Sequence, residues 1–197
     1  MPSDPVGRRE GSLEVLAAVR ELYVRRWGEP SRHAIFRAPD AEMEICKWDA
    51  AANDQGVDLY ATLGASAQGL PAGLGHRNEF FVGLRPGRDD VASALAALGL
   101  HSVREGVTVD HGHSVPCDGP LWPGTAMSSF LVMRQVGEIL APVSLPGGAH
   151  VEFLQAIPLY ESERRFKVAH GADALIRRWQ SAGTAFWDPG RRPDPAS

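Results

Sequence analysis

The chain has 197 residues, of which 44% are hydrophobic and 22% charged, with a formal net charge of −4 at pH 7. That length sustains a core without metal or disulfide staples, and the net acidity excludes general nucleic-acid binding, which needs a basic face to release counterions from phosphates. No apolar h-region heads the sequence and no apolar run reaches spanning length, so a cytoplasmic location away from membranes is expected.

Residues 1 to 11 and 188 to 197 are rich in Pro, Gly, Asp and Arg without hydrophobic period, and read as disordered tails around a single domain over 12 to 187. Ser12 is placed to cap a first helix that carries Leu13, Leu16, Val19, Tyr23 and Trp27 on one face, with Gly28 and Pro30 as its stop. Strands follow at Arg32 to Arg37, Glu42 to Asp49, Val57 to Leu63 and Glu79 to Arg85. In the third, Val57, Leu59, Ala61 and Leu63 alternate with Asp58, Tyr60 and Thr62, the pattern of a sheet with one wetter face. Short loops of Gly, Pro, Asn and Asp between these runs favour antiparallel pairing.

A second helix begins near Asp89 or Asp90, buries Val91, Ala94, Leu95 and Leu98, and ends or is interrupted at Gly99. A strand at Met127 to Met133 precedes one at His150 to Ile157, whose alternate residues are apolar on both faces, and Pro158 is expected to close its ladder. Val168, Ala172, Leu175, Ile176 and Trp179 then fall at helical spacing, Glu161 and Glu163 charge the helix start, and Gly171 kinks or splits the helix. Helices that come before, amid and after clustered strands make an α+β fold, a mixed and mainly antiparallel sheet flanked by helices, and not a doubly wound alternation.

The most site-like segment is DHGHSVPC, Asp110 to Cys117. If it is extended, His111 and His113 share one face as zinc ligands must, with Cys117 or Asp110 as a third; no CxxC or HxxxH pair accompanies them, so solvated or hydrogen-bonding histidines at a sheet edge are the plainer reading. Cys46 and Cys117 are expected as free thiols. The run Gly64 to Gly75 has a phosphate loop's glycines without its GK[ST] ending, and Ser66 misses the GxSxG elbow, which leaves a flexible loop. Trp122, between Pro120 and Pro123, is expected to be partly exposed. No nucleophile, base or cofactor motif stands out, so neither an enzyme nor a cofactor is expected.

Three blocks, HRNEFFVGL (76 to 84), GHSVPCDGPLWPGTAMSSFLV (112 to 132) and VEFLQAIPLYESERRFKVAHGADAL (151 to 175), resemble the Suppressor of fused domain family, as does YATLGAS (60 to 66). The resemblance runs over about residues 30 to 180. It implies an α/β sandwich with a mixed sheet and a non-enzymatic protein-binding role. The animal members bind a transcription-factor peptide as an added strand between two lobes, and this chain has the length of one lobe. The bacterial stand-alone members resemble immunity proteins encoded beside toxins. The expectation is therefore a cytoplasmic immunity protein whose acidic, aromatic-containing surface around Asp110, His111, His113 and Trp122 covers a toxin. Its rivals are a metal-dependent or hydrolytic enzyme using the Asp110 to Cys117 segment, and a subunit of a larger regulatory assembly.

Overall fold

In the computed structural model, which describes residues 5–39, 41–68, 76–135 and 138–194, one sheet runs through the molecule. Its strands are β1 (Arg32–Ala38), β2 (Ala41–Trp48), β3 (Asp58–Leu63), β4 (His76–Leu84), β5 (Ser114–Pro116), β6 (Met127–Arg134), β7 (Val143–Ser144) and β8 (His150–Tyr160). The order across the sheet is β1-β2-β3-β4-β8-β6-β5, with β7 paired to the start of β8. Among the described residues only β4 and β8 are parallel, in the register Phe80↔Leu154; the other pairs are antiparallel. The helices are α1 (Pro5–Trp27), α2 (Val91–Glu105), α3 (Glu161–His170) and α4 (Ala172–Ala182). This is the expected α+β sheet with helices on its faces.

Strand alternation divides the core. Met43, Ile45, Tyr60, Phe80, Val82, Leu154 and Ala156 turn to the face that packs on α2, while Trp48, Leu59, Ala61, Phe81, Val151 and Phe153 turn to the face that packs on Val15, Val19, Tyr23 and Trp27 of α1. A third cluster joins Leu131, Ile157 and Leu159 to Leu175 and Trp179 of α4. Each large side chain so buried contributes about 1.5–3 kcal/mol. With helices on both faces, every residue of β3 is buried, and the wetter face expected there is absent.

Several boundaries differ from the sequence reading for identifiable reasons. α1 begins at Pro5 and takes in residues expected to be a tail, because proline fits a first helical turn; the Ser12 hydroxyl donates to Ala67 O at 3.2 Å instead of capping. Gly28, at φ +77°, does end the helix. Gly99 lies inside α2 without breaking it, and the helix stops at Gly106, at φ +66°. A Cβ on Gly99 would stand 3.0 Å from Met43 Cε and 3.1 Å from Thr62 Cγ2, so the glycine lets α2 approach the sheet closely.

β8 continues through Pro158 to Tyr160. There its neighbour β4 has ended, and the Pro158 carbonyl, on the same side as the missing N–H, accepts from Arg191 Nη2 at 2.9 Å. The proline therefore removes no ladder bond, as a sheet edge permits. Gly171, at φ +88°, splits the last helix into α3 and α4, and the turn leaves Val168 66% exposed while Leu175 and Trp179 are buried.

Residues 188–194, expected as a frayed tail, pack against the α3 start. Glu163 is fully buried; its carboxylate accepts from Arg191 Nη1 at 2.6 Å, Arg191 Nη2 at 2.8 Å, the Tyr160 N–H at 3.0 Å and Trp179 Nε1 at 3.2 Å. Arg178 holds Asp194 through two hydrogen bonds, at 2.9 and 3.0 Å. Glu163 is thus more than a helix-start charge: it anchors the C-terminal segment.

Candidate protein-binding surface

The Asp110–His113 stretch is not extended. It is a tight turn against the short edge strand β5, with Gly112 at φ +80° supplying the left-handed residue. Gly112 N–H donates to Val132 O at 2.8 Å and Val132 N–H to His113 O at 2.8 Å, which ties the turn to β6. Both imidazoles are oriented by backbone donors: Arg134 N–H gives to His111 Nδ1 at 3.0 Å, and Asp110 N–H to His113 Nδ1 at 3.2 Å. A ring whose Nδ1 accepts carries its hydrogen on Nε2 when neutral, so each exposed ring presents an Nε2–H outward.

That arrangement is the reverse of a zinc site, where Nδ1–H donates to an acceptor and a bare Nε2 faces the metal. Cys117 does not join the histidines. Its N–H donates to Ser128 O at 2.9 Å, and burial, with the Asp118 charge, pushes its thiol up to about 11. Among the described residues no group of three or more His, Cys, Asp or Glu side chains could hold a metal. Trp122 is withdrawn from the surface: only 3% exposed, it enters the core with Val115, Leu121, Met127 and Phe130, because the 117–126 loop folds back under the sheet through Leu121 N–H to Met127 O at 2.9 Å. Two flanking prolines do not keep an indole in water.

His111 and His113 line an open groove of about 690 Å³ whose far wall is the corner between α3 and α4. Lys167, His170 and Arg177 come from that corner, and Asp173 is the only carboxylate among the lining residues. The surface expected to be acidic is locally basic. Nothing in the sequence spacing brings Lys167 to a turn some fifty residues earlier, yet its Nζ lies 3.4 Å from Ser114 Oγ.

Two other features were missed by sequence reasoning. Glu79 of β4 is fully buried and receives the N–H groups of Gly64 at 3.0 Å, Ala65 at 3.3 Å and Ser66 at 3.0 Å, the Ser66 hydroxyl at 2.6 Å and the Thr62 hydroxyl. Burial raises its pKa. The hydroxyl weighed as a hydrolase nucleophile is thus a fully buried donor to a carboxylate. Residues 69–75 of the glycine-rich run lie outside the described residues. At the opposite end of the sheet β1 is an edge strand, paired only to β2 and mostly exposed, with Ile35 at 47%. Behind it Lys47 bridges Asp49, Asp58 and Asp89 at 3.0, 3.1 and 2.6 Å.

The family model described as Suppressor of fused protein (SUFU) matches residues 39–192. No curated protein matches the chain. Among solved structures, a chain of the Sufu–Fu complex superposes with a TM-score of 0.66 at 14% identity, over 92% of this chain and 91% of that one. A Suppressor of fused homologue from Neisseria gonorrhoeae gives 0.66 at 16% identity, over 92% and 97%. Drosophila Suppressor of Fused gives 0.66 at 14% identity over 92% of this chain, which spans 50% of that one. At such identities the likeness is one of fold.

Proposed function

The chain belongs to the Suppressor of fused family, and from that premise we propose that it is a non-enzymatic protein-binding domain, a cytoplasmic bacterial immunity protein that neutralises a cognate toxin by covering it. The observation that carries this reading is the turn at Asp110, His111 and His113, whose side chains are held in place by backbone hydrogen bonds on an exposed rim of the sheet. Preorganised polar groups at a surface lose little freedom on association and favour a protein contact. That a Suppressor of fused protein has been crystallised with Fu supports protein binding as the shared activity. Trp122, being buried, is not among the contact residues.

A second mode has its own support. The open side of β1, a seven-residue strand paired on its other side to β2, turns the N–H and C=O groups of alternate residues outward, beside a cavity of about 230 Å³ lined by Phe36, Ile45 and Tyr60, and a partner strand adds there. A metal-dependent or hydrolytic reading of the Asp110 to Cys117 segment finds no such support, since both imidazoles present Nε2–H and burial, with the Asp118 charge, pushes the Cys117 thiol up to about 11.

The test is capture with the immobilised chain from a lysate of its source bacterium, followed by mass spectrometry. A toxin-domain protein retained by the wild type and lost by the His111→Ala, His113→Ala variant supports the proposal. Retention of a small molecule with no protein overturns it, and retention of a multi-subunit regulatory complex assigns the chain to that assembly instead.

A further inference from the structure

We infer that the groove between the 110–113 turn and the α3–α4 corner is a carboxylate-recognition site for an acidic peptide segment. Its donors converge from three separate parts of the chain. His111 and His113 offer Nε2–H groups because their Nδ1 atoms already accept backbone N–H. Lys167 on α3 and Arg177 on α4 complete the opposite wall, with His170 at the corner. Among the described residues neither Lys167 nor Arg177 meets a carboxylate within ion-pair distance, although the neighbouring Arg164, Arg165 and Arg178 all do.

The acidic groups near the groove do not quench it. Asp110 turns one oxygen to the His111 N–H at 2.6 Å and the other toward His76 Nε2 at 3.4 Å. Asp173 sits in the first turn of α4, where it complements the helix end, and forms no ion pair with Arg177 four residues on. Burial and the charge of Arg164 lower the Lys167 pKa, as for an ammonium that lacks a counter-ion. On a chain of net charge −4 this is a local exception, and such an exception selects partners by charge.

The dimensions favour a peptide over a free oxyanion. The cations are spread around about 690 Å³ of open groove, not gathered into a tight cradle, and Val168 on its rim is 66% exposed and available for an apolar contact. Several carboxylates along an extended segment satisfy such a spread; one phosphate does not. This deepens the protein-binding proposal by giving the contact a sign, opposite to an acidic surface that seeks basic residues on its partner.

The experiment titrates the purified chain with a fluorescein-labelled hexaglutamate peptide at low ionic strength and reads anisotropy, with a hexalysine peptide and inorganic phosphate as further arms. Saturable hexaglutamate binding that weakens with salt, and falls about tenfold or more in Lys167→Ala, Arg177→Ala, is the expected result. Arg177→Ala alone, at an exposed position, shows a smaller loss with an unchanged melting temperature. Absence of saturable binding, undiminished binding by the double variant, or displacement by an equal concentration of phosphate each overturns the inference. A failure here is distinguishable from a failure of protein binding, because partner capture is read without the peptide and a contact through the 110–113 turn or through β1 needs no anion site.

Discussion

Replacing Arg191 with Met would strip the buried Glu163 carboxylate of its only cationic partner among the described residues. The wild-type guanidinium side chain is 5% exposed and the carboxylate side chain 0%, so water screens neither. After substitution Glu163 keeps the Tyr160 N–H and Trp179 Nε1, while the Pro158 carbonyl loses its 2.9 Å donor. Orphaning one member of a buried pair costs about 3–5 kcal/mol, and the lost carbonyl bond falls within that span. For a chain of this size the melting temperature should drop by about 10–15 °C. Urea unfolding followed by tryptophan fluorescence measures the change directly. The variant Glu163→Leu, Arg191→Met leaves no buried charge behind and should recover part of the loss. A loss under about 1 kcal/mol in Arg191→Met would place the pair among weak surface contacts and refute the anchoring of residues 188–194.

Gly99→Ala should gain about 1 kcal/mol of helix propensity but lose more by overpacking against Met43 and Thr62, for a net loss of about 1–2 kcal/mol in the same urea assay. Burial and the Glu44 charge push the Cys46 thiol up to about 12, and Cys117 lies at about 11, so a thiol reagent at pH 8 should label neither until denaturant is added; prompt labelling of Cys46 would contradict its burial. Hydrogen bonds from Arg164 and Arg165 hold the Glu161 carboxyl down to about 2, below its ordinary value of about 4.3. Its stabilisation is therefore present above the ordinary value and lost as pH falls toward 2. Glu161→Gln should destabilise by about 0.3–0.5 kcal/mol at pH 6, since both partners are partly exposed, and the difference should vanish toward pH 2.

How far the sequence could be read depended on whether the signal was local. The apolar residues Val151, Phe153, Leu154, Ala156 and Ile157 marked a strand buried on both faces, and the structure places it inside the sheet between β4 and β6. The stripe Val91, Ala94, Leu95 and Leu98 likewise marked the buried face of α2. The second buried face of β3 was not legible, because alternation in that strand cannot report that α1 and α2 lie on opposite sides of it. Pro158 misled for a related reason: a proline stops a strand only where its missing N–H would have met a neighbour, and β4 has ended by then.

The candidate surface shows the same division. DHGHSVPC drew attention through its histidines, and they do line a groove, but their tautomers follow from backbone donors, one of them at Arg134, that no motif announces. Lys167 of α3 and Arg177 of α4 share one groove because Gly171 turns α3 into α4. A usable clue was the scarcity of lysine: only Lys47 and Lys167 occur, and the structure puts each at a distinctive site. Glu163 and Arg191 lie 28 residues apart, and Arg191 sits in a segment whose composition suggests disorder, so their pairing was beyond local reading.

The most direct measurement is a calorimetric titration of this chain into the protein captured from lysate, purified, with that protein's toxic activity assayed across the same titration. Saturation at equimolar ratio, activity lost in step with complex formation, and weaker binding by the His111→Ala, His113→Ala variant are expected if this chain is the protein's inhibitor. A captured protein that gives no heat of binding, or one that stays fully active at excess chain, would contradict neutralisation by direct binding.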